Sequence, residues 1–477
     1  MNAAPRPRAP HGIALGLFVL VWFSCAWFGS DEFNPNTSTR LFAAIGLAER
    51  HDPAIDRYAA LTIDKARFGD HLYLDKAPGM TLIATPLVWA TDAATGDRAD
   101  AHPADLYDPG LTHYMALRLR VVTSLFVAPL TAFAAVLLLD LAIGITGSVA
   151  AGLAAALGYA LGTPVWGWST TMLEHAPVSA LLLIAFWAIW RGTADARDLA
   201  RARYPLIAGG ALGLAGLIEL QAALPAALLL LWMLWRTRDL SGPRRLRLFA
   251  LGAAAALIAL LPMALYDRAA FGTPFHIGYQ GVVGFSGMSQ GFFGLGVPRF
   301  DVAIALLAGL RRGLIWVAPV LLLAPFGIAR LIAARETRDL GWLAAALALV
   351  MLLYNAAYVY WDGGDSTGPR HLVPAFGFLA LGLAPLWRGR WRRPLVVLLG
   401  LSLAINGAVA ATTITARDVY AFPLTDQVIP ALLAGKVRTI ANQFWGWPGW
   451  AGMMLYLVVA LPLLGWLVRR TRETADA

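Results

Sequence analysis

Two carboxylates, Asp31 and Glu32, stand side by side directly after an apolar block. At the C-terminal end of a helix they face the negative end of its dipole, and proximity to lipid disfavours ionisation. At least one is therefore expected to hold its proton more tightly than usual, which suits a general base. The bland alternative is a solvated pair that stops the helix. Further on, Asp75 and Lys76 precede a Pro-Gly break and another apolar run, so an anion and a cation share a sharp turn beside the bilayer. A phosphate there needs a cation, which lysine supplies as a compact point charge; a surface ion pair is the competing reading.

Other polar positions are sparser. STTMLEHAPVSALLL sets Glu174 and His175 at the edge of an apolar block, either as acceptor ligands or as a helix entry facing water. WDGGDSTGPRHLVP brings Asp362, Asp365, Arg370 and His371 together just before another block, and Arg370 is the better phosphate fork. Arg311 and Arg312 form a secondary cationic pair, for which a snorkelling anchor is the simpler reading. Glu219 falls at an expected turn on the outer surface, where water would remove most of its desolvation cost. Two acids without a defined third ligand are weak metal ligands, so no required metal is expected at Asp362 and Asp365.

These residues need a scaffold, and composition identifies it. Of 477 residues 58% are hydrophobic and 14% charged, an excess of apolar residues over soluble domains. Apolar blocks fall near 12 to 30, 118 to 141, 146 to 163, 176 to 190, 205 to 218, 221 to 235, 248 to 266, 313 to 329, 340 to 360, 372 to 387, 394 to 413 and 449 to 468. The expectation is an all-α polytopic membrane protein with about twelve transmembrane helices. The first block lacks a small-residue cleavage pattern and reads as a retained span. Segments 1 to 11, 191 to 204, 236 to 247, 330 to 339, 388 to 393 and 469 to 477 carry 21 Arg against 7 acidic residues, which places them and both termini in the cytoplasm. The net charge of +9 thus reflects topology rather than nucleic-acid binding. The one cysteine, Cys25, excludes an intramolecular disulfide.

The chain reads as a single membrane domain, 1 to 477, with external loops at 31 to 117, 267 to 312, 361 to 371 and 414 to 448. After Pro35, Asn36 or Ser38 is expected to cap an amphipathic helix lying on the membrane surface, with Leu41, Ile45 and Ala48 on its apolar face. The loop 267 to 312 is rich in glycine and aromatics, whose faces pack on sugar rings or prenyl chains; a substrate-covering loop and plain interfacial anchoring both fit.

The order of first span, acidic exit, amphipathic helix and YLDKAPGMTLIATP resembles the GT-C class of membrane glycosyltransferases, including protein O-mannosyltransferases and lipid A aminoarabinose transferases. FGTPFHIGYQ, GFFGLGVPRF, RRGLIWVAPVLLLAP and YWDGGDSTGPRHLVPAFGFLALGLAP extend the likeness over most of the chain. Counted back from the turn at His51 and Asp52, the class's acidic motif falls on Asn36 and Thr37, five residues past Asp31 and Glu32. Asp56, Asp64 and Asp75 are then alternative carboxylates.

The resemblance implies an outward-facing GT-C-like fold and a polyprenyl-phosphate sugar as donor, with no cofactor. Loop lengths agree: no inside segment exceeds about 14 residues and no glycine-rich phosphate fingerprint is present, so a cytosolic nucleotide-sugar domain is excluded. The expected reaction is an inverting displacement at the outer face of a bacterial cytoplasmic membrane, onto a hydroxyl of a glycan, lipid or protein. Asp31 is the first choice of base, with Glu32 and Asp75 as alternatives. Lys76 and Arg370 are the phosphate ligands, and Asn36, Arg40, Glu174, His175 and His371 complete substrate binding. The competing classes are a secondary transporter, disfavoured because the second half has no counterpart of the long first loop, and a non-catalytic subunit of an envelope-polymer assembly.

Overall fold

A computed structural model describes residues 7 to 29, 32 to 194 and 201 to 476. Among them, six helices are long and apolar enough to cross a bilayer, and seven shorter apolar helices span 10–17 residues. The chain is a helical integral membrane protein, and among the described residues the one sheet is a small hairpin. The helix His175–Ala194 is buried along nearly its whole length at the centre. The helix Gly242–Phe271 instead turns Leu257 and Ile258 outward, as a lipid-facing helix requires.

The expected spans are not uniform rods. The block at 118 to 141 belongs to a longer run, Pro109–Thr146. Those at 313 to 329 and 372 to 387 are chopped into short α and 3-10 turns, because Pro319, Pro374 and Pro385 each remove a backbone donor. Between 205 and 235 two helices, Arg203–Ile218 and Ala223–Arg236, meet at a break where Glu219 has extended backbone. Ion pairs fasten helices elsewhere: the buried pair of Arg191 and Asp140 at 2.8 Å, and the half-buried pair of Arg236 and Asp339 at 2.5 Å.

The first loop builds most of the site. Helix α1 (His11–Trp27) leads through it to α2 (Pro35–Arg50), strands β1 (Ala66–Phe68) and β2 (His71–Tyr73), and α3 (Gly79–Thr95). The strands pair antiparallel with Phe68 opposite His71, and Val282 bridges to Ala66 from outside. Two expectations for α2 are corrected. Its cap is Asn34, whose side chain accepts from the Asn36 N–H while Pro35 takes the first helical position, not Asn36 or Ser38. Nor does it lie on the membrane surface, since every residue from Asn36 to Gly46 is buried. The polar side is satisfied inside the protein: Thr37 meets Thr171 at 2.9 Å, Thr39 meets Thr62 at 2.6 Å, and Arg40 meets a carboxylate.

Candidate functional site

The turn after Lys76 is pressed into the helix break. A Cβ on Gly79 would sit 2.6 Å from the Leu217 carbonyl oxygen, so only glycine lets α3 begin there. This backbone contact brings Asp75 and Lys76 to Glu219. Lys76 Nζ lies 2.7 Å from Asp75 Oδ2 and 3.5 Å from Asp64 Oδ2. Burial would pull the ammonium down, but the two carboxylates outweigh it and raise its pKa, so Lys76 is a fixed cation. Asp75 is 3% exposed and its Oδ1 has no hydrogen-bond partner. Burial, joined by the charge of Asp64, raises this carboxyl above the usual range, and Lys76 offsets only part.

Glu174 enters from the loop before the central helix, and Arg40 Nη2 reaches its Oε2 at 2.6 Å. Arg40 is fully buried and also donates to the Asn36 carbonyl at 2.7 Å, which ties the start of α2 to this pair. Burial alone would raise the Glu174 carboxyl, but Arg40, then His175 and Arg370, hold it well below its ordinary range. Behind it the His175 and His371 rings meet edge to face at 5.1 Å, and none of the four ring nitrogens has a hydrogen-bond partner, His175 Nε2 lying 3.6 Å from Glu174 Oε1. Glu174→Ala strands the Arg40 guanidinium in the interior, and removal of one member of such a pair costs about 3–5 kcal/mol. Thermal unfolding in detergent is expected to show a lowered midpoint; an unchanged one means that Arg40 finds water instead.

Arg370 comes from the opposite side. Its aliphatic stem and Nε pass under Gly363, where φ is +71° and a Cβ would lie 2.8 Å from Nε. The loop above is pinned by Arg312, which donates from Nε to the Asp362 carbonyl at 2.8 Å and from Nη2 to the Gly364 carbonyl at 2.6 Å. Arg311 pairs with Asp418. The cationic pair considered as a secondary phosphate site is thus engaged in holding loops.

These elements enclose a cavity of 460 Å³. Asn36, Asp75, Lys76, Glu174, Arg370 and His371 line it, so six of the residues proposed from the sequence are brought together. Arg40 and His175 stand behind its wall, touching lining residues. Glu32 is not on the wall, and its charge acts on Arg120 instead. Asp31 lies outside the described residues. Asp64, Asp362 and Asp365 also line the cavity, whereas Asp56 is exposed and bonds His71 Nδ1 at 2.6 Å.

Glu219 is the principal correction. Expected at a wet outer turn, it is 5% exposed and faces this cavity with Tyr279 Oη 3.5 Å away. Burial, then the charge of Glu174, pushes its pKa up to about 8. Tyr279, Tyr354 and Tyr358 complete the wall and were not singled out from the sequence. Tyr354 and Tyr358 carried a signal, two tyrosines four residues apart shortly before the WDGGD loop; the helix ends at Ala357, Tyr358 follows it with extended backbone, and the two rings stack at 6.3 Å. The assembled groups offer a carboxylate with one oxygen free of hydrogen bonds, a lysine and an arginine on opposite sides of one cavity, and aromatic faces suited to a ring of carbons and hydroxyls.

No family model and no curated protein sequence matches the chain. In three dimensions it is similar to ArnT from Cupriavidus metallidurans bound to undecaprenyl phosphate, with TM-score 0.52 and 15% identity, covering 96% of this chain and 75% of that one. The apo form of that ArnT gives TM-score 0.49 and 14% identity over 96% and 76%. The Saccharomyces cerevisiae protein O-mannosyltransferase Pmt1-Pmt2 complex bound to the sugar donor gives 0.34 and 17% over 60% and 37%. The first similarity establishes the fold, a polytopic membrane fold of the GT-C type that the motifs resembled.

Proposed function

We propose that this chain is an inverting glycosyltransferase that moves a sugar from a polyprenyl-phosphate carrier to an acceptor hydroxyl. It works at the outer face of a bacterial cytoplasmic membrane with both termini inside. The observation that carries the reading is the convergence of Asp75, Lys76 and Arg370 on one cavity beside apolar helices. The GT-C fold, shared with a protein whose solved form holds undecaprenyl phosphate, supports the same donor class.

The chemistry follows from the charges. An arriving phosphodiester competes with Asp64 and Asp75 for Lys76, while Arg370 approaches it as a planar fork. As the bond from the anomeric carbon to the phosphate oxygen lengthens, negative charge grows on the phosphate, and these cations stabilise it best at that stage. The leaving phosphate is a weak base and needs no strong acid. Asp75, relieved of part of its ammonium contact, takes the acceptor proton through Oδ1; Asp31 remains the alternative base. One displacement inverts the anomeric centre, unlike the two-carboxylate scheme of retaining hydrolysis.

The test is transfer by purified protein in lipid nanodiscs, offered radiolabelled sugars on synthetic polyprenyl phosphates and on nucleotides. Label is expected to leave the lipid donor only, and a chelator is expected to leave the rate unchanged. Consumption of nucleotide sugars, or no donor use together with solute accumulation in proteoliposomes, rejects the reading.

A further inference from the structure

Next to the charged cavity lies a second hollow, of 640 Å³, formed by the segment from Tyr279 to Phe293. None of the residues that line it carries a charge. Its walls combine the rings of Phe285, Phe292 and Phe293 with the neutral hydrogen-bonding groups of Gln280, Ser286 and Ser289. Tyr279, Val282, Phe285 and Met288 line both hollows, so one layer of side chains separates them.

The segment is anchored on both flanks of the charged cavity. Val283 N–H donates to the Lys65 carbonyl at 2.9 Å, and the Gly287 N–H to Tyr360 Oη at 3.0 Å. Val359 N–H donates to the Gly294 carbonyl at 2.8 Å. The hollow is thus held in register with Lys76 on one side and Arg370 on the other. Phe292 is 70% exposed and meets Phe293 at 5.0 Å, which leaves an aromatic face uncovered.

We infer that this hollow is the acceptor site of the reaction proposed above and that it takes an uncharged saccharide segment. Flat C–H faces of sugar rings pack on aromatic rings, and neutral amide and hydroxyl groups pair with sugar hydroxyls without the desolvation cost of charge. A phosphorylated or strongly basic acceptor finds no counter-charge there. A prenyl chain leaves Gln280, Ser286 and Ser289 without partners, which disfavours it. The shared side chains set the acceptor hydroxyl next to Asp75, and the charged cavity keeps the donor phosphate. The inference rests on the donor reading for its name, but its binding step is measured separately.

Full-length protein in nanodiscs is titrated with fluorescein-labelled neutral oligosaccharides built from hexoses, N-acetylhexosamines and pentoses, with a labelled phosphorylated glycan and a labelled lysine-rich peptide, and in parallel with undecaprenyl phosphate. At least one neutral oligosaccharide is expected to bind. Phe292→Ala and Gln280→Ala, both at exposed positions, are each expected to weaken that binding about tenfold, the scale of one lost aromatic or polar contact, with undecaprenyl phosphate binding unchanged. Binding confined to a lysine-rich peptide or a phosphorylated glycan, loss of undecaprenyl phosphate binding in Phe292→Ala, or no neutral oligosaccharide bound overturns the assignment. Oligosaccharide binding that depends on Phe292 in a protein that ignores undecaprenyl phosphate supports the saccharide site and rejects the donor reading instead.

Discussion

Lys76→Ala and Asp75→Asn are each expected to lower the rate of sugar transfer by about 10²–10⁴-fold, the range typical of losing a positioned base or a charge-stabilising donor. Both residues are largely withdrawn from water, so neither charge is replaced by solvent when it is deleted. The two variants are distinguishable. Asp75→Asn keeps the size of the side chain and its contact with Lys76, so the donor KM should hold while kcat collapses. Lys76→Ala removes the phosphate partner and leaves Asp64 and Asp75 facing each other without an ammonium. Donor KM should therefore rise as kcat falls. The Asp75 carboxyl, already raised by burial, should climb further, so that the acid limb of the kcat profile moves to higher pH. Lys76→Arg should recover part of the rate because the charge remains. Variants within about threefold of wild type, far short of the loss of one electrostatic contact, with an unmoved acid limb, would remove both residues from the mechanism.

The sequence made these two residues visible because a charge pair before a Pro-Gly break, beside an apolar run, has few structural uses. Arg370 and His371 were legible for the same reason, as cations at the mouth of a block. The membrane class and the break between the helices at Glu219 followed from block length and the Arg bias. The inward turn of α2 was not legible. Its pattern of apolar and polar residues is the one a surface helix shows, and only the carboxylate of Glu174, far away in sequence, makes it favourable to bury Arg40. The environment of Glu219 was hidden likewise, since a turn between two short helices is normally wet. Here the segment around Tyr279 covers it, a contact between residues 60 positions apart. Short-range patterns therefore placed the charged groups near the boundary, whereas which of them lose water depends on long-range packing.

Glu219 supplies the second large effect, through stability. Its carboxyl titrates near pH 4.5 when unfolded and near 8 when folded. Between those values the folded chain keeps a proton that the unfolded chain has released, so this group's contribution to stability is greatest below about pH 4.5 and is lost as pH rises through 8, by ~5 kcal/mol in total. The groups that set this are the carboxylate of Glu174, which opposes a second charge, and Arg40 and Lys76, which favour one but do not prevail. Glu219→Gln replaces the neutral acid with a neutral amide of the same shape, so its unfolding midpoint should lack this contribution and exceed that of wild type above pH 8. The difference between the two proteins isolates Glu219 from His71, whose raised pKa beside Asp56 makes stability decline with pH in both. Thermal melts in detergent from pH 5 to pH 9 measure it directly. Parallel curves for the two proteins would mean that Glu219 is solvated in the folded state, and its burial beside the cavity would have to be given up.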